Sequence, residues 1–343
     1  MKNTTIAVDL AKSVFQVAVS QRPGRVDKEV RLSRDRFLRF FTGLDPATVL
    51  LEACGSAHHW GRELQGLGHT VRLLPPHDVH RYVRRSKTDK ADAKALLEAD
   101  RNEDIRPVPV KSVEQQAIAS LHRLRFAYLA ARTARINTVR GLLREFGIAI
   151  PPGARHVLPS VRAKIDDPTA PVPSPLRIPL AVACDEIDGF ERKAQALEKQ
   201  LQLMANQMPL AERLMAIPGI GLLTATALVA LVGDVSRFRS GRHFASFLGL
   251  TPKEHSSGSR RRLGAISKQG DIYLRMLLTH GARSVLWSAR AKKRPDRLRT
   301  WALQVQQRRG HNIATVALAN KIARIVWVVW AKDRPYREVF DRE

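Results

Sequence analysis

Four carboxylates stand where acids could share a metal ion. Asp9 closes the apolar run Ile6-Ala7-Val8-Asp9, and Glu52 closes a second, Val49-Leu50-Leu51-Glu52. An acid at the end of a buried strand can point into a site, although such residues more often cap a turn or face solvent. Asp89 and Asp92 lie three apart in Lys87-Thr88-Asp89-Lys90-Ala91-Asp92, a spacing that puts both on one face of a helix. Near a first helical turn, the same pair also suits the helix dipole without forming any site. Together, two strand-end acids and a helical pair can converge on one or two Mg²⁺ ions, a hard cation that prefers oxygen ligands. Such a centre offsets the charge that builds on a phosphate during transfer.

A second chemistry-bearing stretch runs His255-Ser256-Ser257-Gly258-Ser259-Arg260-Arg261-Arg262, followed by Ser267-Lys268-Gln269-Gly270 and by Arg275. Backbone amides near Gly258 and the guanidinium groups suit a bound phosphate. A serine held there can attack it once a base, a metal or local charge activates the hydroxyl. A plain phosphate-contact or solvated loop fits the same residues, and whether Ser256 or Ser257 would attack is open. His255 reads as a loop residue before it reads as a base. Upstream, Ile217-Pro218-Gly219-Ile220-Gly221 precedes an apolar helix, as in a helix-hairpin-helix element whose glycines let amides approach a phosphate. A tight turn between packed helices accounts for that segment equally well.

The charge balance names the class of partner. In 343 residues, 58 Lys and Arg oppose 32 Asp and Glu, giving a formal charge of +26. That favours a polyanion over a small neutral substrate, nucleic acid first and a membrane surface second. Between Pro252 and Gly310 the acids are only Glu254, Asp271 and Asp296, against many cations that include Arg283, Arg290, Lys292, Lys293 and Arg294. The longest apolar stretch, around Leu222 to Val232, falls short of the roughly 20 residues a spanning helix needs. The cytosol is the default location, with Cys54 and Cys184 as two reduced thiols.

These groups need elements to position them. Thr4–Asp9, Val14–Ser20, Glu29–Leu32, Thr48–Glu52 and Thr70–Leu74 read as strands, with helices at about His59–Leu67 and Lys87–Asp100, which is a mixed α/β pattern. Ser112–Phe146 reads as a basic helix with Ile118, Leu121, Tyr128, Val139, Leu142 and Phe146 near one face. A proline-rich segment follows, from Pro151 to Pro179, which cannot be one regular element. Leu180, Ala183, Ile187, Phe190, Ala194, Leu197, Leu201, Met204 and Met208 then keep a 3-4 spacing, a coiled-coil seam. Its partner is either the preceding basic helix, folded back antiparallel, or another subunit. Pro252–Gly270 reads as a loop, and helices run on to about Trp330. Trp287, Trp301, Trp327 and Trp330 are expected in the helical core and receive no role.

Three segments together resemble a known family. Ile6–Asp9 with Ala11-Lys12, the strand end Leu51-Glu52-Ala53, and Lys87 to Ala93 resemble the DEDD set of RuvC-like transposases of the insertion sequence 110 family, which has a subgroup numbered 1111 and includes related DNA invertases. Phe247–Thr251, the Ser-Gly loop and Ser267-Lys268-Gly270 with Arg275 resemble the same family's transposase domain. The likeness covers most of the chain except the proline-rich linker. It implies an α/β plus all-α fold: an RNase H-like (RuvC-like) domain over 1–108, a coiled-coil region over 109–209 and a helical transposase domain over 210–343. It implies Mg²⁺ at Asp9, Glu52, Asp89 and Asp92, with Ser257 as the nucleophile of a phosphoserine intermediate in DNA cleavage and rejoining. It further implies a composite site across subunits, a bridge RNA guide and a tetramer. Gly219, Gly221, Arg260, Arg261, Arg262, Lys268 and Arg275 are the expected nucleic-acid contacts, and donor and target DNA the partners. The alternatives are a RuvC-like junction resolvase that uses water, and a non-catalytic nucleic-acid-binding protein.

Overall fold

Residues 4–23, 25–83, 88–291 and 295–336 are described in the computed structural model; Lys87, Lys292, Lys293 and Arg294 and the side chain of Asp89 lie outside that set. The chain forms two units, 1–114 and 115–343. In the first, β1 (Thr5–Leu10), β2 (Val14–Ser20) and β3 (Lys28–Ser33) form an antiparallel meander. After α1 (Arg34–Thr42), β4 (Thr48–Glu52) adds parallel to β1; after α2 (Ala57–Gly66), β5 (Thr70–Leu74) adds parallel to β4. The sheet order is β3-β2-β1-β4-β5. A short α3 (Pro76–Val79) and a 3₁₀ turn lead towards α4 (Asp89–Asp100).

The two sheet faces differ in the size of their side chains. Ile6, Val8, Phe15, Val17, Val49 and Leu51 pack on one face against Phe37 and Phe41 of α1 and Trp60 and Leu64 of α2. Ala7, Ala18, Leu50 and Leu74 form the other face, covered by Ala93, Ala95, Leu96 and Ala99 of α4. Alanines on both sides let the helix and the sheet approach closely. Helix α1 was not expected from the sequence. It is a charged segment whose burial rests mainly on Phe37 and Phe41, one turn apart.

The second unit opens with α5 (Val113–Glu145), which starts at the boundary, and α7 (Ser174–Ala205). Arg125 pairs with Glu198, Arg132 with Glu191 and Arg135 with Glu186, so the two helices run antiparallel within one chain. Ile136, Val139 and Leu143 meet Leu180, Cys184 and Ile187. Leu142 and Phe146, expected on the packed face of α5, are exposed instead. The proline-rich stretch is indeed not one element: it holds a 3₁₀ turn and α6 (Val157–Asp166), and α7 starts earlier than Leu180, with Pro179 inside it.

Then follow α8 (Pro209–Met215), α9 (Leu222–Val232), α10 (Gly241–Phe247), the strands β6 (Pro252–Glu254) and β7 (Leu263–Ile266), α11 (Ile272–Ala291), α12 (Arg297–Arg309) and α13 (His311–Ala331). Helix α13 has 21 residues and is apolar enough to cross a membrane by length and composition, which corrects the expectation that no segment is. Ala314, Leu318, Ile322, Val326 and Val329 instead lie in the core of this unit. Buried His122 joins three helices: its Nδ1 lies 2.9 Å from Tyr273 Oη and its Nε2 3.0 Å from Thr226 Oγ1. The Thr226 hydroxyl donates to Leu222 O at 2.7 Å, so it must accept from Nε2–H, and Nδ1 then accepts from the tyrosine. That is a neutral ring. Burial, with Arg125 nearby, holds the His122 pKa down to about 4.

Candidate active site

Strand register brings the first two acids together. Val8 lies opposite Leu51 in the parallel β1–β4 pair, so Asp9 and Glu52 follow side by side at the same end of adjacent strands. By alternation both fall on the face of Ala7 and Leu50, the face that α4 covers. Both are partly buried.

Ion pairs at its two ends orient α4. Lys90, in its first turn, meets Glu29 of β3 at 2.9 Å, and Asp100, its last residue, meets Arg72 of β5 at 2.8 Å. The helix therefore crosses the sheet from β3 to β5. Thr88 caps it, accepting from Ala91 N–H at 3.2 Å, which makes Asp89 the first helical residue. Asp92 is partly buried one turn before Leu96, which packs on the sheet.

Sequence reading missed Gln16. It is the cross-strand partner of Asp9, only 7% exposed, and shares a pocket of about 420 Å³ with Glu29, Arg31, Thr88 and Lys90. A glutamine inside the otherwise apolar run Val14–Ala18 was the available signal, because a polar side chain buried in a strand needs a polar neighbourhood. The pocket places the start of α4 at the Asp9 end of the sheet. Oxygen donors at Asp9, Glu52 and Asp92 suit a hard divalent cation. Among the described residues no three acidic, histidine or cysteine side chains gather closely enough to hold an ion, and the side chain of Asp89 is outside that set.

The Ser-Gly segment is a β-ribbon, which corrects its reading as a loop. β6 and β7 pair antiparallel, and at the tip Ser257 and Arg260 exchange both backbone hydrogen bonds, at 3.3 and 3.1 Å. Gly258 and Ser259 make the turn, with Gly258 at φ +54°, a conformation that glycine takes at little cost. The two candidate serines differ. Ser256 Oγ donates to Glu254 Oε1 at 2.7 Å and accepts from Arg262 N–H at 3.1 Å, so its hydroxyl is tied into the ribbon. Ser257 is exposed at the tip, beside exposed Arg260, Arg261 and Arg262; of these Arg261 is paired with Glu254 at 3.4 Å.

The ribbon's base is tightly fixed. A Cβ on Gly249 would lie 2.0 Å from Gln269 O, and one on Gly270 would lie 1.9 Å from Phe247 O. Lys268, at φ +57°, donates its backbone N–H to Gly249 O. Arg275 Nη1 donates to Leu248 O and Gln269 O, both at 3.2 Å, so this half-buried guanidinium braces the base of the ribbon. One side of β7 walls a groove of about 1370 Å³ against α10, α12 and α13, lined by Arg242, Arg309, Lys321 and Arg324 and, among the described residues, by no carboxylate. Gly219 is explained by packing: it sits at φ +87°, back to back with Gly281 of α11, whose Cβ would meet Gly219 O at 1.9 Å. Gly221, at the start of α9, has open space around it.

Comparison with known proteins bears on both halves. A family model described as a transposase of the DEDD type in IS110 elements matches residues 6–148, and one described as "Transposase IS116/IS110/IS902 family" matches 211–297. A protein named "Probable family 20 transposase" from Pseudomonas aeruginosa is 45% identical over 98% of this chain and 99% of its own length. The chain belongs to the IS110 family of transposases. Members of this family are enzymes that cut and join DNA. The "Transposase for insertion sequence element IS1111A" of Coxiella burnetii is 35% identical over 97% of this chain and 91% of its own. A "Pilin gene-inverting protein" of Moraxella lacunata is 24% identical, with 81% of each chain covered.

Proposed function

We propose that this transposase cleaves and rejoins DNA through a phosphoserine on Ser257, with Asp9, Glu52, Asp89 and Asp92 holding Mg²⁺. The observation that most supports the carboxylate half is the register that sets Asp9 beside Glu52 on the α4-covered face. A bound divalent cation would neutralise charge on the phosphate and orient it. The chain's own groups do the rest. Arg260 and Arg262 hold the phosphate at the ribbon tip. Ser257 Oγ bonds to phosphorus as one P–O bond to a deoxyribose breaks; the serine proton leaves to a base and the departing sugar oxygen takes up a proton. In the reverse step a sugar hydroxyl of the second DNA attacks the phosphoserine, the strand is rejoined and the serine regains its proton. In the same reading a bridge RNA selects the DNA, donor and target DNA are the two substrates, and the α5–α7 pair acts as the coiled-coil arm of a tetramer of the 1111 type.

The test is strand cleavage on element-end DNA with Mg²⁺, with EDTA, and in Asp9→Asn and Glu52→Gln. Each substitution is expected to cut cleavage by at least about a hundredfold, since it removes charged oxygen ligands, with the fold intact by circular dichroism. Cleavage that persists in EDTA, or in both variants, would refute the metal half. Cleavage that survives Ser257→Ala would take the attack away from Ser257, to Ser256 if a covalent adduct still forms and to water if none does.

A further inference from the structure

Helix α11 starts where the ribbon base ends and carries a stripe that the chemistry above does not use. Ile272, His280, Arg283, Trp287 and Arg290 are spaced to share one face, and all are exposed. Trp287 is 77% exposed and Ile272 76%. This corrects the expectation that Trp287 is a core residue. The opposite face, Leu274, Leu278, Ala282, Val285 and Leu286, is buried in the unit's core, so the helix is fixed and the stripe is held in place.

A large aromatic ring in water leaves a favourable burial unrealised. The flanking chemistry says what would bury it. Helix α11 contains no acid, and Arg283 and Arg290 stand one turn to either side of the indole. A second copy of a +26 chain would bring further cations to this face. A polyanion with flat apolar faces suits it. In a duplex those faces are stacked away; in unpaired nucleotides they are open.

We propose that the α11 stripe is a binding track for unpaired nucleotides, with a base stacked on Trp287 and phosphates on Arg283 and Arg290. Trp287 lies 12 residues beyond Arg275, about 18 Å along the helix at 1.5 Å per residue. The track therefore runs along α11 away from the ribbon base that Arg275 braces. This rests on the transposase reading only in taking nucleic acid as the polymer.

The experiment measures binding of the full chain to single-stranded DNA, single-stranded RNA of the same sequence, and duplex DNA, across salt concentrations. Trp287→Ala is expected to weaken both single strands by about tenfold or more, leaving duplex affinity and the salt slope unchanged, with Trp287→Phe close to wild type. Arg283→Ala should lower the slope by about one, through a lost phosphate contact. A loss confined to one of the two single strands would contradict a track that uses only base stacking and phosphate contacts, which DNA and RNA share. Equal loss on duplex and single strand, no loss at all, or a Trp287→Ala protein that changes oligomeric state would overturn the track. Failure of the wild-type protein to bind any of the three would refute the transposase reading itself.

Discussion

At the residue scale, neighbouring groups of the same type divide their tasks by what holds them. Ser256 and Ser257 are adjacent, yet one hydroxyl has two partners in the ribbon and the other stands at its tip. His122 is the clearest electrostatic commitment. Its folded pKa of about 4 lies below the ordinary 6.5, so the unfolded chain takes up the proton first as pH falls. Stability from this ring is fully present above pH 6.5 and is lost between 6.5 and about 4, roughly 3 kcal/mol in all. Thermal unfolding of His122→Gln should therefore show a flatter pH dependence across that window than wild type. Parallel curves would mean that the ring titrates alike in the folded and unfolded chain.

At the element scale, the ribbon depends on its base more than on its strands. A two-stranded ribbon is marginal alone, and most positions of β6 and β7 are exposed. The Gly249–Gly270 crossing and the Arg275 brace supply the missing support. Gly270→Ala should force a shift at Phe247 O, lower the unfolding temperature by about 5 °C or more, and reduce covalent capture of DNA. Retained stability and capture would show that the crossing is dispensable. This ribbon also marks where the sequence was hard to read. Strands β1, β2, β4 and β5 are legible because burial leaves apolar runs, and Asp9 and Glu52 stand out at their ends. β6 and β7 have no buried face, so no alternation marks them. Gln16 gains its meaning from a cross-strand register that no local pattern contains. Trp287 was misread because tryptophan is usually buried, and only the packing of α11 shows which face it takes.

At the scale of the whole molecule, the carboxylates and the serine belong to separate units, 1–114 and 115–343. If a working site draws its halves from different copies, then Asp9→Ala and Ser257→Ala proteins, each inactive, should regain part of the activity when mixed. No recovery on mixing, with oligomers formed, would confine each site to one copy. The central claim is the covalent serine, and one measurement reaches it directly: peptide mapping by mass spectrometry of protein trapped with element-end DNA in mid-reaction. We expect a nucleotide phosphate on Ser257, absent in Ser257→Ala and retained in Ser256→Ala. Cleaved DNA with no adduct on any residue, or an adduct on Ser256, would contradict it.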